Sequence, residues 1–227
     1  MARPMLRIAH RGDWRRATEN TIPALLAALK VPACGGLEFD VRLSSDNVPV
    51  LLHDETLART HGRPERVSAL TARALEELGV PSLAQALSAV PHRAFLDVEL
   101  KGRHDRAVVE VLAAGRGPGL VNAVVSSFEP ATLERVRGLV PYWPRWLNAV
   151  DLEPSTIDVA TRLECQAISV EWHAVDEASL ARARAAGLQV AAWTVRRRDT
   201  AARLGRLGVF AACVEAAALD GVSSRTT

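Results

Sequence analysis

Apolar and charged residues alternate in two short segments, and this alternation constrains the fold more than any other feature of the chain. The first segment is Leu37-Glu38-Phe39-Asp40-Val41, and the second runs from Leu96 to Lys101. Successive side chains of a β-strand point to opposite faces, so each segment predicts a strand with one charged face and one apolar face. The charged side chains are those of Glu38, Asp40, Asp97, Glu99 and Lys101. Two strands of this kind indicate a charged interior.

Short apolar runs recur along the chain, with helical patterns between them. The predicted strands centre near Ile8, Phe39, Val98, Val124, Leu147, Ile168, Ala191 and Ala212. From Val98 onward the centres are 26, 23, 21, 23 and 21 residues apart, which suits a strand, a helix and two short loops. Eight strands alternating with helices predict a closed parallel barrel. A doubly wound open sheet is the alternative, but it calls for a glycine-rich turn after the first strand, which Gly12 alone does not supply.

The stretch between the second strand and the strand at Val98 is too long for one such unit. Residues Val48 to His53 predict an additional strand, with a turn at Ser44–Asn47 before it. A short excursion through Thr60–Gly62 follows, and then a predicted helix at Leu83–Ala89. We therefore expect a small insertion after the second strand, and one domain over residues 1–227.

The barrel assigns a direction to each face of the alternating strands. In a parallel barrel the outer face lies under helices and must be apolar. The outward residues are then Leu37, Phe39, Val41, Leu96, Val98 and Leu100. The charged residues face the barrel axis, with Asp40 and Lys101 nearest the C-terminal mouth, where barrel enzymes place their chemistry.

Two histidines end predicted strands at the same mouth. His10 precedes Arg11 and Gly12 at the end of the first strand, and His53 precedes Asp54 at the end of the additional strand. A lone histidine at a strand end is more often structural than catalytic. Two histidines beside one acidic mouth are what acid–base catalysis near neutral pH requires.

The charge of this mouth favours a bound cation. Glu38, Asp40 and Glu99 sum to −3, and Arg11 and Lys101 restore +2. An uncompensated buried ion costs several kcal/mol, whereas a divalent cation and a phosphodiester together would bring the sum to zero. The oxygen donors favour Mg²⁺ or Ca²⁺. The competing interpretation is a purely structural ionic layer, which we favour for either acid pair alone but not for both pairs with the two histidines. Asp97 lies one layer deeper, where we expect it to hydrogen-bond within the barrel.

Residues near other strand ends are candidates with weaker support. Thr21 can cap a helix predicted from Ile22 to Lys30, and capping explains Asn20 and Thr21. Glu19 is not explained by capping and is a candidate substrate contact. Trp193 ends the seventh predicted barrel strand, where packing against a loop and contact with substrate are about equally expected.

Composition limits the partners and the compartment. The 227 residues carry 28 basic and 26 acidic side chains, a net charge of +2, which gives no reason to expect nucleic acid or stable membrane association. Cys34, Cys165 and Cys213 are scattered and odd in number, which predicts free thiols in a reducing compartment and no zinc site. No apolar run precedes Arg11 and none approaches the length of a membrane span. We expect a cytoplasmic, soluble protein, and the sequence does not indicate its oligomeric state.

The ordered set of motifs resembles the glycerophosphodiester phosphodiesterases. The matching residues are His10-Arg11-Gly12, Glu19-Asn20-Thr21, Glu38-x-Asp40-Val41, His53-Asp54, Glu99-x-Lys101, Ser127-Phe128 and Trp193-Thr194-Val195. The resemblance implies a TIM (β/α)8 barrel with a small insertion after the second strand, and hydrolysis of small-molecule glycerophosphodiesters to an alcohol and glycerol 3-phosphate. It further implies a divalent cation on Glu38, Asp40 and Glu99. His10 and His53 would be the general acid and base, and Arg11 and Lys101 would contact the phosphate.

Three departures from the family pattern accompany the resemblance. Thr18 stands where the family usually has Pro, and Arg196 stands where it usually has Asn. The last strand, Phe210 to Ala216, lacks the usual Asp-Gly and Thr-Asp or Thr-Asn residues. This altered strand motivates one alternative, a non-catalytic barrel that binds phosphate esters. A second alternative is a lysophospholipase D-type enzyme, whose apolar mouth could use Trp14, Trp143, Trp146 or Trp172.

Overall fold

Eight parallel strands close into a barrel in the computed structural model, which describes residues 4–104 and 106–221. The barrel strands are β1 (Leu6–His10), β2 (Gly36–Leu43), β4 (Phe95–Leu100), β5 (Ala123–Ser127), β6 (Arg145–Ala149), β7 (Ala167–Glu171), β8 (Gln189–Val195) and β9 (Ala211–Val214), and β3 (Pro49–Leu51) is antiparallel to β2 outside the barrel. β1 pairs with both β2 and β9, and this pairing closes the sheet. The predicted TIM (β/α)8 barrel with an insertion after the second strand is confirmed.

Helices connect the strands around the outside. They are α1 (Ile22–Ala28), α2 (Ala58–His61), α3 (Ala72–Glu77), α4 (Leu83–Ala89), α5 (Arg106–Arg116), α6 (Pro130–Leu139), α7 (Pro154–Arg162), α8 (Glu177–Ala185), α9 (Arg198–Leu207) and α10 (Ala216–Leu219), with 3-10 turns at Val67–Ala69 and Trp172–Ala174. Across the ranges given above, no helix has the length and apolarity needed to cross a bilayer.

All eight predicted strand centres lie within barrel strands. Helix α4 has the predicted bounds, and a capping box of Ser82 and Gln85 begins it. Helix α1 starts as predicted, with the Thr21 hydroxyl accepting from the Ala24 amide at 3.4 Å, but ends at Ala28 rather than Lys30. β3 is shorter than the predicted strand because its pairing with β2 covers only three residue pairs, from Val41–Leu51 to Leu43–Pro49.

The two faces of β2 and β4 are as the alternation predicts. The outward apolar residues are buried among the helices in the main core, at 0–1% exposure: Leu37, Phe39, Val41, Leu96, Val98 and Leu100. On the inner face, the strand register pairs His10 with Glu38, Glu38 with Asp97, and Asp40 with Glu99. Parallel pairing thus brings histidine and carboxylates from three strands to one end of the barrel.

An apolar plug fills the barrel beneath the charged layer. It consists of Ile8, Val124, Trp146, Ala167, Ala191, Ala211 and Cys213, with Phe95 and Phe210 packed against it. The Trp146 ring stacks on Phe95 at 5.6 Å between centroids and meets Phe210 edge-on at 5.2 Å. The plug excludes water from below, so the charged layer opens only toward the C-terminal mouth.

Two of the four tryptophans considered for an apolar mouth lie elsewhere, and that part of the prediction is wrong. Trp146 belongs to the plug because it faces the axis near the start of β6. Trp143 precedes β6, is 1% exposed, and donates its indole N–H to the carbonyl of Pro118 at 2.6 Å. Trp14 is 46% exposed, and Trp172 lies in the 3-10 turn after β7.

The insertion has a small core of its own. Its buried members are Val50, Leu52, Leu57, Val67, Leu75 and Val80. This core holds β3 and α2 against the barrel rim, and the segment between them carries His53 and Asp54.

Candidate active site

The loop between β1 and α1 directs Arg11 into the mouth. Arg11 and Gly12 both have positive φ angles, of 57° and 82°. A Cβ atom at Gly12 would lie 2.5 Å from the backbone of Ala24, so only glycine allows the loop to pack this closely on α1. The Arg11 amide donates to Glu38 Oε2 at 3.0 Å, which ties the loop to β2.

Three buried carboxylates meet at this mouth. Glu38, Asp40 and Glu99 are 3%, 0% and 7% exposed, and one oxygen from each lies within 4.8 Å of the others. Burial opposes ionisation of Asp40, but the charges of Arg11 and Lys101 outweigh it and lower its pKa to about 2. Burial and the Asp40 carboxylate raise the pKa of Glu99 to about 7. Burial, with Asp40 and Glu99, also raises the pKa of Glu38 well above its usual range.

These carboxylates fit a hard divalent cation. Within the described residues, Glu38 Oε1 is buried without a hydrogen-bond partner. Burial and the neighbouring carboxylates raise the pKa values of Glu38 and Glu99, and a bound cation would oppose that effect. The donors are all carboxylate oxygens, which Mg²⁺ and Ca²⁺ prefer. The predicted ligand set is therefore brought together in space.

Two cationic side chains lie beside the carboxylates. Arg11 Nε is 3.0 Å from Asp40 Oδ2. Lys101 Nζ is 3.1 Å from Asp40 Oδ1 and also forms an ion pair with Glu99. Both side chains are 15% exposed, so they can meet an anion that enters from solvent.

Both predicted histidines reach the same mouth. His10 Nε2 lies 3.8 Å from Glu38 Oε2. His53 Nδ1 is 2.6 Å from Asp54 Oδ1, and burial lowers the pKa of His53 despite the nearby Asp40. A histidine with a lowered pKa is neutral near pH 7 and can accept a proton.

A cavity of about 160 Å³ connects these groups. It is lined by His10, Arg11, Glu38, His53, Asp97, Glu99, Lys101, Phe128, Asn148, Ser169, Trp193, Thr194 and Cys213. Trp193 forms one wall, with its indole N–H donating to the carbonyl of Ser169 at 2.9 Å and its ring edge-on to Phe128 at 5.3 Å. Among the candidate substrate contacts, Trp193 lines this cavity.

Glu19 has a different position. Its carboxylate accepts from Arg11 at 3.0 Å and from Arg59 of α2 at 2.6 and 2.9 Å. Glu19 thus lies behind Arg11 and links the β1–α1 loop to the insertion, rather than among the residues that line the cavity.

Sequence reasoning missed several polar residues of the site: Asn148 and Ser169 of the cavity wall, and Asn20 and Glu215, which hold other site residues in place. The side-chain amide of Asn20 donates to Asp40 Oδ2 at 2.9 Å, and its oxygen accepts from the Asp40 backbone N–H at 3.1 Å. Asn20 therefore holds Asp40, a role that the capping interpretation does not include. Glu215 follows β9, and its Oε1 lies 2.5 Å from His10 Nδ1. A carboxylate at the C-terminal end of a barrel strand was the available signal for Glu215.

Asp97 forms the floor of the charged layer. Its Oδ1 accepts from the Ser126 hydroxyl at 2.6 Å, as the sequence predicts. Burial, with the nearby Glu99 and Asp40, raises the pKa of Asp97 to about 7 against the opposing Ser126 hydrogen bond.

Comparison with known proteins places this geometry in a family. The model of the glycerophosphoryl diester phosphodiesterase family matches residues 10–218. A glycerophosphodiester phosphodiesterase from Caldanaerobacter subterraneus is 26% identical over 228 residues, covering 89% of this chain and 90% of the relative. A Bacillus subtilis relative, YhdW, is 28% identical over 225 residues, with the same coverage of 89% and 90%.

Solved structures agree with this assignment. An Oleispira antarctica phosphodiesterase, in complex with the product sn-glycerol-3-phosphate, superimposes with a TM-score of 0.84 at 26% identity and covers 93% of both chains. A Thermotoga maritima structure at 22% identity has the same fold, with a TM-score of 0.81 over 97% of both chains. Because the family model spans most of the chain, this protein belongs to the glycerophosphoryl diester phosphodiesterase family and is a phosphodiesterase.

Proposed function

We propose that this phosphodiesterase hydrolyses glycerophosphodiesters to an alcohol and glycerol 3-phosphate, by general acid–base catalysis and with a divalent cation. The observation that carries the proposal is the convergence of two histidines, two cationic side chains and the Glu38 and Glu99 carboxylates on one cavity of about 160 Å³, with Asp40 in the same carboxylate cluster. The related Oleispira antarctica phosphodiesterase binds sn-glycerol-3-phosphate as product, which supports a glycerol phosphate half in the substrate.

The protein's own residues would bind and orient the phosphate. Arg11 and Lys101 lie on the Asp40 side of the cavity, where two positive charges can hold the non-bridging oxygens of a phosphodiester. The apolar plug beneath the charged layer keeps water out from below. A phosphate held here would be oriented mainly by groups that already have fixed partners, which favours catalysis by preorganisation.

One histidine would accept a proton during the reaction, and the other would donate one. One removes a proton from the attacking hydroxyl as the new P–O bond forms. The other gives a proton to the alcohol oxygen as its P–O bond breaks. The attacking hydroxyl belongs to water or to the substrate's own glycerol, and in the second case water opens the resulting cyclic phosphate. Positioned proton transfer of this kind typically contributes about 10²–10⁴-fold.

Glu38, Asp40 and Glu99 would hold the cation. When bound, a divalent ion would polarise a phosphoryl oxygen and neutralise charge that develops on the phosphate. The unpartnered Glu38 Oε1 supports this assignment, because a cation would give that buried oxygen a partner. The residues fit Mg²⁺ and Ca²⁺ equally by donor type.

A substrate panel tests the proposal. The protein is incubated with glycerophosphodiesters that differ in their alcohol, with and without a chelator, and released glycerol 3-phosphate is measured. We expect turnover that chelator removes and added divalent ion restores. His10→Ala should lose most of the activity. His92→Ala is the matched control, since His92 is exposed and precedes β4 at the opposite end of the barrel.

Each of the following results would contradict one part of the proposed function. Turnover that persists in chelator would remove the cation. Wild-type turnover by His10→Ala would remove its acid–base role. Tight binding with no turnover of any substrate would favour the phosphate-ester binder. Preferential turnover of a lysophospholipid would favour the lysophospholipase D alternative, for which Trp14 and Trp172 remain as exposed or half-buried aromatic side chains.

A further inference from the structure

Two side chains that follow neighbouring strands contact each other at the barrel mouth. Glu215 follows β9, and Arg196 follows β8. Arg196 Nε donates to Glu215 Oε2 at 2.7 Å. The Glu215 amide donates to the carbonyl of Val195 at 2.9 Å, which fixes the two strand ends beside each other. Glu215 and Arg196 therefore form one structural unit.

The other oxygen of Glu215 faces a proposed acid–base histidine. Glu215 Oε1 lies 2.5 Å from His10 Nδ1, across a sequence separation of 205 residues. Because an ionised carboxylate only accepts hydrogen bonds, Nδ1 must carry the proton. His10 Nε2 is then the atom left to exchange a proton with substrate, and it points toward the carboxylate cluster, 3.8 Å from Glu38 Oε2.

The second histidine has the same arrangement. His53 Nδ1 lies 2.6 Å from Asp54 Oδ1, and Asp54 Oδ2 accepts from Arg59 Nε at 2.7 Å. Each histidine is thus held at Nδ1 by a carboxylate that an arginine holds in turn. The two sets of residues come from different parts of the fold, since His10 and Glu215 end barrel strands whereas His53, Asp54 and Arg59 belong to the insertion. Both sets nevertheless have the same order of groups.

The electrostatics of Glu215 fit this interpretation. Glu215 is 6% exposed, and burial alone would favour its neutral form. His10 and Arg196 outweigh that effect and lower the pKa of Glu215 to about 2. The carboxylate is therefore ionised at neutral pH, and it can stabilise the positive charge that forms when His10 Nε2 takes up a proton.

We propose that Glu215 is a positioning residue for His10, which fixes its ring orientation and its Nδ1–H form, and that Arg196 holds the Glu215 carboxylate in place. This inference rests on the acid–base role of His10 in the proposed function.

Steady-state kinetics with Glu215→Gln test the proposal. Glutamine keeps the size of the side chain but removes the charge, so we expect kcat to fall by about 10²–10⁴-fold, toward the loss that follows when the aspartate orienting an acid–base histidine becomes asparagine, with KM changed by less than about 3-fold. Arg196→Gln should lower kcat by a smaller factor, because Glu215 keeps its contact with His10. The matched control is Arg197→Gln, since Arg197 is 77% exposed and paired with Asp199 at 2.9 Å.

A double-mutant cycle separates positioning from general support of the fold. In a His10→Ala background, Glu215→Gln should lower the remaining kcat by less than about 3-fold, because residues that act as a unit are not additive. An equal loss in both backgrounds would overturn the proposal, and so would a wild-type kcat in Glu215→Gln. If Glu215→Gln does not fold, Arg196→Gln decides, and an unchanged kcat in that variant overturns the proposal.

A spectroscopic measurement does not depend on turnover. In ¹⁵N-resolved NMR the His10 ring should show a protonated Nδ1 with a downfield proton, and this proton should shift upfield in Glu215→Gln but not in Arg197→Gln. An Nε2–H form in the wild-type protein would overturn the proposal. Failure of the wild-type protein to hydrolyse any glycerophosphodiester would refute the proposed function instead, so the two failures are distinguishable.

Discussion

At the scale of single residues, the site depends on side chains that specific partners hold in one orientation. Each histidine is bonded at Nδ1 to a carboxylate, and Asp40 is held by the Asn20 amide while its other oxygen meets Lys101. Fixed orientation of this kind lets a side chain act without reorganisation during the reaction. The sequence gives the residue types, but only the fold shows which atom of each is available.

Changing the leaving group should identify the histidine that acts as general acid. We expect His10→Ala and His53→Ala each to lose about 10²–10⁴-fold in kcat on a substrate with a choline leaving group. On a glycerol phosphate diester of p-nitrophenol, whose anion leaves without a proton, one of the two variants should recover most of its kcat. Steady-state rates for both variants on both substrates make the comparison.

The recovered variant identifies the acid, and the other histidine is then the base. His92→Ala serves as the control, because its exposed side chain lies away from the cavity. Equal losses by both variants on both substrates would contradict a general-acid role for either residue.

At the scale of elements, the β1–α1 loop is the part most sensitive to substitution. Gly12→Ala should destabilise the protein by more than the about 1–2 kcal/mol of a positive φ angle, because the added Cβ would lie 2.5 Å from the Ala24 backbone. It should also lower kcat/KM, because the loop carries Arg11 and begins directly after His10 at the end of β1. Urea unfolding and steady-state kinetics measure the two effects.

Gly79→Ala is a matched control for this prediction. Gly79 has a φ angle of +89°, and a Cβ atom there would meet nothing within 4 Å. It should therefore show the backbone cost alone, with wild-type kinetics. Equal destabilisation by the two substitutions would show that the close approach to α1 is not important.

Strands were predictable from the sequence because their signal is local. The alternation of apolar and charged residues predicted β2 and β4 and the face of each that carries the acids. The regular spacing of apolar runs predicted the later barrel strands. Contacts between distant strand ends were not predictable, since Glu215 reaches His10 only through the closure of β9 on β1. Trp146 was a candidate for an apolar mouth by residue type alone, whereas its position near the start of β6 puts it in the plug.

At the scale of the whole molecule, buried carboxylates lie close together at one end of the barrel, above the apolar plug. Glu99 titrates at a pKa of about 7 in the folded protein and near 4.5 when unfolded. Folded protein therefore binds more protons between these values, so the contribution of Glu99 to the free energy of unfolding falls as pH rises through that window. Its effect at pH 8 is a destabilisation on the order of a few kcal/mol.

Metal-free Glu99→Gln should show this effect directly. We expect the variant to be more stable than the wild-type protein at pH 8, with an advantage that shrinks toward pH 5, where Glu99 is protonated. Denaturant unfolding in chelator at a series of pH values measures the difference. Glu77→Gln is the control, because Glu77 is 68% exposed and should show no such trend. An advantage that is independent of pH would contradict the electrostatic origin.

A divalent cation should reverse the order of the two proteins at pH 8. A ligand that binds only the folded state stabilises it by about 2.7 kcal/mol at 100 times its Kd, and Glu38, Asp40 and Glu99 together can supply that binding in the wild-type protein. Glu99→Gln removes one of the three carboxylates, so its melting temperature should rise much less with Mg²⁺ or Ca²⁺. If the melting temperatures of both proteins rise equally, the cation binds elsewhere. The three carboxylates of the barrel mouth then do not bind it. If only the wild-type protein responds, the buried carboxylates that destabilise its metal-free form are also the source of its affinity for the ion.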